Sequence, residues 1–364
     1  MKKTLIIFLV GILAISTIGF AANSLFKKSE KEKAINYFKE NKLEKYKYYS
    51  VVKFSGELKN DYEGEENLTI DWGDGKTKKA EFSGNTFKFE HLYLEKGKYN
   101  VTINLDGKKT KKIVKIEEAP IMFEDDNLRR SLYDRLRAFA QRNKEEGLTM
   151  EIKGLIYPSQ AKYLEKVMNE FALEPLDNIN SLKGIEHFTN LKKLDLSLSN
   201  NNNIKDISPL KNLKLLEVLK LPENKIENID TLKRLSNLKE LDLSENKIEK
   251  VDLKALSNLK ELDLSENNIK EIDLGEINIE RLNLNQNSGI KNIDFLTKLT
   301  KLKKVSLVGP YTGPDISTIK PLLSLKELKY LRVNVPKLDI YDLDSETGKI
   351  IKKLEERNVR INGI

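Results

Sequence analysis

The string SNLKELDLSEN occurs twice without substitution, at 236–246 and 257–267, with starts 21 residues apart. A period near 20 residues describes a chain made of small units. No such unit buries its own apolar face, so each must stack on the next. Leu238, Leu241, Leu243, Asn246, Ile248 and Val251 shift by 21 onto Leu259, Leu262, Leu264, Asn267, Ile269 and Ile272. Upstream, Leu216, Leu219, Leu221, Asn224, Ile226 and Ile229 fit the same template, and downstream Ile279, Leu282, Leu284, Asn287, Ile290 and Ile293 fit it with one insertion. Leu191, Leu194, Leu196 and Ile204 match more loosely, while Leu302, Val305 and Leu307, then Leu328, Leu331 and Val333, bring the series to seven copies.

The pattern LxxLxLxxNxIxxI is that of the leucine-rich repeat. Each copy predicts a short strand whose Leu side chains point inward, an Asn that turns the chain, and further apolar positions filling the convex side. Asn224, Asn246, Asn267 and Asn287 are expected to form a ladder of hydrogen bonds to neighbouring turns, because a buried polar group left unpaired costs about 1–3 kcal/mol. The ends of such an array need covers. Before it, 121–155 predicts a helix with Asp125 or Asp126 as N-cap and Leu128, Leu132, Leu136 and Phe139 on one face, and SQAKYLEKVMNEFAL predicts another. After it, SETGKIIKKLEERN predicts a closing helix and VRINGI a last strand.

Upstream of the array the pattern changes. Between Tyr49 and Glu118 short alternating runs are separated by turn signals such as Gly73-Asp74-Gly75 and Asp106-Gly107, which predicts a small antiparallel sandwich. The blocks Trp72-Gly73-Asp74-Gly75, His91-Leu92-Tyr93 and Gly97-Lys98-Tyr99-Asn100-Val101 resemble the PKD family of immunoglobulin-like domains. That resemblance implies that Trp72, Gly73, Asp74, Gly75, His91, Tyr93, Gly97 and Tyr99 shape a turn and pack the core of a spacer or binding module. Asp71 and Asp74 lack a third oxygen-rich partner in the sequence, so they are expected to hold a turn rather than a metal.

The first residues, Lys2-Lys3 followed by an uncharged apolar run from Thr4 to Ala22, read as a secretory leader ending near Gly19-Phe20-Ala21. An uncleaved anchor is the competing reading, since 19 residues at about 1.5 Å each nearly span a bilayer core of roughly 30 Å. Either way the remainder is expected outside the cytoplasm: secreted, periplasmic or on the cell surface. The predicted organisation is therefore multi-domain: 1–21 leader or anchor, 22–48 Lys/Glu-rich stalk, 49–118 PKD-like β-sandwich, 119–180 helical cap, 181–335 leucine-rich repeat α/β solenoid with a curved parallel sheet, and 336–364 C-terminal cap.

The pieces Phe123-x-Asp125-x-Asn127-Leu128, Leu148-Thr149 and Leu182-x-Gly184-Ile185-Glu186-x-x-x-Asn190-Leu191-x-x-Leu194-x-Leu196 are similar to the internalin family, over roughly 121–335. The resemblance implies a helical cap before repeats of about 22 residues and a protein-binding role. In internalins an immunoglobulin-like module normally follows the repeats, whereas here the sandwich precedes them.

Composition narrows the functions. The chain has no cysteine and only His91 and His187, which excludes thiol chemistry and leaves histidine catalysis little to work with. No phosphate-binding Gly loop, metal-ligand cluster or Ser-His-Asp set is present, so no enzyme and no cofactor is expected. Lys+Arg 64 against Asp+Glu 56, interspersed along the chain, speak against a nucleic-acid partner. Membrane contact is expected only through the N-terminal segment, if uncleaved. Binding of a protein partner is expected at strand positions flanking the inward Leu residues, where Lys220, Asp242, Asp263, Asn283, Asn285, Lys304, Tyr330 and Arg332 lie, and at two breaks in the repeat, 197–204 and the Tyr311 loop of 306–317. Two other functions stay open: an envelope- or carbohydrate-binding structural protein acting through the PKD-like domain, and an inhibitor of a secreted enzyme.

Overall fold

The computed structural model describes residues 3–7, 38–45, 50–62, 64–65, 67–143, 154–161, 163, 178–197, 202–309, 316–334, 342 and 344–362. The chain divides into two units, Met1–Pro120 and Ile121–Ile364.

Among the described residues the first unit contains nine strands: β1 (Lys3–Ile7), β2 (Phe38–Lys45), β3 (Val51–Tyr62), β4 (Leu68–Asp71), β5 (Thr77–Lys79), β6 (Phe82–Ser83), β7 (Thr86–Leu92), β8 (Gly97–Leu105) and β9 (Lys108–Ile116). They form two antiparallel sheets, one in the order β1-β3-β7-β6 with β2 also on β3, the other in the order β5-β4-β8-β9. Period-two alternation sends Phe54 and Leu58 of β3, Phe87 and Phe89 of β7, Ile70 of β4 and Ile103 of β8 into one shared apolar cluster that also holds Trp72.

Two N-terminal segments lie along β3. Within the Lys/Glu-rich segment at 22–48, Phe38–Lys45 is a strand paired antiparallel with β3, with Leu43 opposite Phe54 and Phe38 buried. The long β3 leaves an edge of unpaired amides, which this Lys/Glu-rich segment fills. Within the expected leader, Lys3–Ile7 likewise lies as a strand along β3, with Leu5 opposite Leu58.

In the second unit each repeat contributes one short strand to a parallel sheet: β10 (Lys193–Asp195), β11 (Val218–Lys220), β12 (Glu240–Asp242), β14 (Glu261–Asp263), β16 (Arg281–Asn283), β17 (Lys304–Val308) and β18 (Tyr330–Asn334), closed by β19 (Arg360–Asn362). The register is unbroken. Leu194, Leu219, Leu241, Leu262, Leu282, Val305, Leu331 and Ile361 stand side by side across all eight strands. All but the half-buried Ile361 are buried in one column running from Ile121 to Val359, and each buried Leu contributes about 1.5–3 kcal/mol.

The convex side is mostly 3₁₀ turns, at Ser208–Asn212, Asp230–Arg234, Asp294–Lys298 and Lys320–Ser324. Two repeats instead carry parallel strands there, β13 (Lys250–Asp252) and β15 (Glu271–Asp273). Their inner Leu residues, Leu241, Leu262 and Leu282, lie 21 and 20 residues apart, against 22 from Leu219 to Leu241. A 3₁₀ path rises about 2.0 Å per residue and a strand about 3.3 Å, so a shorter repeat covers the same distance by extending.

Helix α1 (Asp126–Asn143) covers the N-terminal end, with Leu128, Leu132, Leu136 and Phe139 buried. Asp125 caps it: Oδ1 accepts from the Asn127 and Leu128 amides at 2.9 and 3.0 Å, and Oδ2 accepts from the Asn180 amide at 2.7 Å, tying the cap to the first repeat. Of the second predicted cap helix only α2 (Pro158–Ala161) and the buried Tyr163 are described; the rest of that segment lies outside the described residues. At the other end α3 (Glu346–Glu356) starts at Ser345, whose Oγ accepts from the Gly348 amide, and buries Ile350, Ile351 and Leu354.

Candidate functional site

The two side chains flanking each inward Leu point out of the concave face, and the register arranges them in two rows. One runs Lys193, Val218, Glu240, Glu261, Arg281, Lys304, Tyr330, Arg360; the other runs Asp195, Lys220, Asp242, Asp263, Asn283, Ser306, Arg332, Asn362. Both leave their carboxylates behind after β14: the first row continues as Arg281, Lys304 and Tyr330, the second as neutral Asn283 and Ser306 and then Arg332. Between them runs an open groove of about 390 Å³ lined by residues of β12 to β18.

The structure brings Asp242, Asp263, Asn283, Asn285, Lys304, Tyr330 and Arg332 together in this groove. Lys220 lies just beyond it and is held at 2.5 Å by Glu240. Partial burial alone would lower the Lys220 pKa, but Glu240, Asp195 and Asp242 together raise it. Tyr311 lies outside the described residues, as do residues 198–201 of the 197–204 break. Glu240, Glu261, Arg281 and Ser306 also line it, over a floor of Leu241, Leu262, Leu282 and Val305; these four polar residues are x positions of the repeat whose types give no signal until the register stacks them.

The acidic half is strained electrostatically. Burial raises the Asp242 carboxyl, and Asp263 on the next strand adds to this against the hydrogen bonds of Ser244, whose Oγ donates at 2.7 Å. Asp263 is held by Ser265 Oγ at 2.6 Å and by Asn283 Nδ2 at 2.8 Å. The boundary between the halves is crossed by an Arg281–Glu261 ion pair at 2.8 Å. In the basic half, Lys304, Tyr330 and Arg332 have no side-chain partner among the described residues, and Lys304 and Arg332 are exposed.

Asn224, Asn246, Asn267 and Asn287 are buried beneath the sheet edge and link successive repeats. Asn246 Oδ1 accepts from the Ile226 amide at 3.0 Å while its Nδ2 donates to Leu221 O at 2.9 Å; Asn267 and Asn287 repeat the pattern one and two turns on. Asn202 begins this ladder, accepting from the Ile179 amide at 2.8 Å. The asparagine-rich break is thus in part a structural element.

In the first unit Trp72, His91, Tyr93 and Tyr99 interlock. Trp72 stacks on His91 with ring centroids 4.8 Å apart, and Tyr93 meets Tyr99 at 4.1 Å and donates its hydroxyl to Trp72 O at 2.8 Å. Burial, followed by the charge of Asp74, pushes the Tyr93 hydroxyl pKa up. Asp74 bonds His91 Nε2 at 2.8 Å and the Lys76 amide, while Asp71 accepts from the Gly73 amide at 2.9 Å. Gly97 opens β8 beside the Tyr99 ring, and Gly75 takes a positive φ of 83° in the turn. Among the described residues no group of three or more His, Cys, Asp or Glu could hold a metal ion.

The in-register sheet, inward Leu column and Asn ladder define a leucine-rich repeat solenoid. A family described as the LRR domain of endo-beta-N-acetylglucosaminidase EndoS matches residues 147–267. Among solved structures, the functional domain of InlJ from Listeria monocytogenes, described as including a cysteine ladder, is similar at 24% identity and a TM-score of 0.46, covering 60% of this chain and 43% of that one. This chain therefore spans less than half of that structure. Internalin C2 from Listeria monocytogenes is similar at 23% identity and a TM-score of 0.44, covering 62% of this chain and 94% of that one. No curated protein matches the sequence.

Proposed function

We propose that this chain is an exported, internalin-like, non-enzymatic protein that binds a protein partner across the concave groove, with the N-terminal unit serving as a PKD-like β-sandwich spacer. The carrying observation is the change of charge along the groove. A regular backbone presents Glu240, Asp242, Glu261 and Asp263 on one side of Arg281 and Asn283, and Lys304, Tyr330 and Arg332 on the other. Charges arranged this way orient a partner and set its register more than they add affinity, while Tyr and Arg are the side chains most often carrying interface energy. The matching partner surface is basic over β12 and β14 and acidic, with an apolar contact for Tyr330, over β17 and β18. Export rests on the leader read from the sequence; among the described residues no helix is long and apolar enough to cross a membrane.

A photo-crosslinking residue at Tyr330 tests this reading against one at Lys254 on the convex side. The expected result is one discrete adduct from envelope or host extracts at 330, absent at 254 and abolished by Lys304→Glu/Arg332→Glu. The same adduct from both sites, or one indifferent to the charge reversal, removes the groove as the binding site.

A further inference from the structure

Charge is interspersed along the chain but not over the surface of the first unit. Alternation along β9 sends Thr110, Val114 and Ile116 inward and leaves Lys109, Lys111, Ile113 and Lys115 exposed. Antiparallel register sets Lys98 of β8 opposite Lys115 and puts Asn100 opposite Ile113, while β5 adds Lys79 to the same face. Asp71 is the one carboxylate in these rows, and its Oδ1 is taken by the Gly73 amide. Among the described residues Lys79, Lys98, Lys109 and Lys111 have no ion-pair partner; Lys115 has Glu117 at 3.0 Å. The solenoid treats lysine differently, since Lys220, Lys233, Lys239, Lys254, Lys270 and Lys303 each meet a carboxylate.

Like charges opposite one another destabilise a sheet, so this face gives up stability that the second unit keeps. Protection of a sheet edge accounts for lysines on β9, which is an edge strand, but not for Lys98 on the interior strand β8.

We propose that this face binds a linear phosphate polymer whose phosphates are joined by saturated aliphatic links. Outward positions recur about every 6.7 Å along a strand and about every 4.8 Å across strands, which spreads single positive charges along a flat track. No aromatic side chain stands in these rows to stack a nucleobase, as single-stranded nucleic acid binding requires. Ile113, 72% exposed, is the one apolar side chain. That is too little for insertion into a bilayer, which takes an apolar band, but it suits an aliphatic link passing between the amines of Lys111 and Lys115. At one end a shallow depression of about 440 Å³, lined by Lys96, Gly97, Lys98, Lys115, Ile116 and Glu117, has room for a phosphate beside the Lys98 and Lys115 amines.

The test is fluorescence anisotropy of labelled poly(glycerol phosphate) with the full chain, between about 50 and 200 mM salt. Wild type is expected to bind, with affinity falling as salt rises. Lys98→Gln/Lys109→Gln/Lys111→Gln/Lys115→Gln is expected to weaken binding at least about tenfold and to flatten the salt dependence by about 0.7 log units per log unit of salt for each lysine engaged. Its melting temperature should not fall, because like charges are removed; should it fall, Lys109→Gln/Lys111→Gln carries the test with a smaller loss. Lys304→Glu/Arg332→Glu, in the concave groove, should bind the polymer like wild type. The proposal is overturned by equal binding of wild type and the lysine variants, by equally tight binding of polyglutamate, by loss of polymer binding in the groove variant, or by lysine variants that lose duplex DNA or phosphatidylglycerol vesicles and keep the polymer.

Discussion

Asn283 donates from Nδ2 to Asp263 Oδ2 at 2.8 Å, directly across from β16 to β14. The contact sits where the groove changes sign: Asp263 follows Asp242 in the same row, and a carboxylate at the next position would extend the repulsion to three strands. A neutral donor there ends it. Asn283→Asp replaces an attractive cross-strand pair with a repulsive one, for a cost of about 0.2–1 kcal/mol at neutral pH. The loss should shrink as pH falls and the added carboxyl protonates. Thermal melts at neutral and acidic pH check this, and a variant as stable as wild type at neutral pH would show that the pair does no work.

Asn246 makes its inter-repeat bonds from a buried position, 7% exposed, so its removal leaves the Ile226 amide without a partner and the Leu221 carbonyl with only the longer bond from Asn224 Nδ2, at 3.3 Å. Each unmet buried group costs about 1–3 kcal/mol. Asn246→Ala should destabilise the second unit by about 1–3 kcal/mol while leaving the groove rows in register. A melting curve unchanged from wild type counts against the ladder as a source of stability.

The repeat strands were legible because a Leu spacing held over seven copies admits few other packings. The convex side was less so: a one-residue difference in repeat length decides between a 3₁₀ turn and the strands β13 and β15. Asn202 was hidden among neighbouring asparagines, and only the Ile179 amide selects it. FKENKLEK shows no alternation, so its strand is dictated by the open edge of β3 rather than by its own residues. The acidic-to-basic groove was present as separate x positions, but charge counted along the chain averages away what register assembles, and the lysine face of β8 and β9 was lost the same way.

Gly73 and Gly75 both take positive φ, 76° and 83°, yet their surroundings differ. A Cβ on Gly73 would lie 2.8 Å from the backbone N and O of Asn100, whereas one on Gly75 meets nothing within 4 Å. Gly75→Ala should therefore cost only the left-handed backbone penalty, about 1–2 kcal/mol. Gly73→Ala adds a clash with β8 that the backbone cannot easily relieve, and should lower the melting temperature of the first unit clearly more. Equal effects of the two substitutions would contradict the close approach of the turn to Asn100.

Asp242 offers a test in the opposite direction, because burial holds its carboxyl pKa above the ordinary value, with Asp263 adding to the shift. A folded-state pKa above the unfolded one means that the ionised carboxylate costs stability at neutral pH. That cost is relieved as pH falls through the folded pKa and is absent below the unfolded value near 3.9. Asp242→Asn keeps an oxygen to accept from the Ser244 amide and hydroxyl, at 3.0 and 2.7 Å in the wild type, and removes the charge. The variant should melt higher than wild type at pH 7, with the gain fading to nothing toward pH 3–4. A constant loss at every pH would mean that the ionised side chain contributes through its hydrogen bonds more than burial and Asp263 cost it.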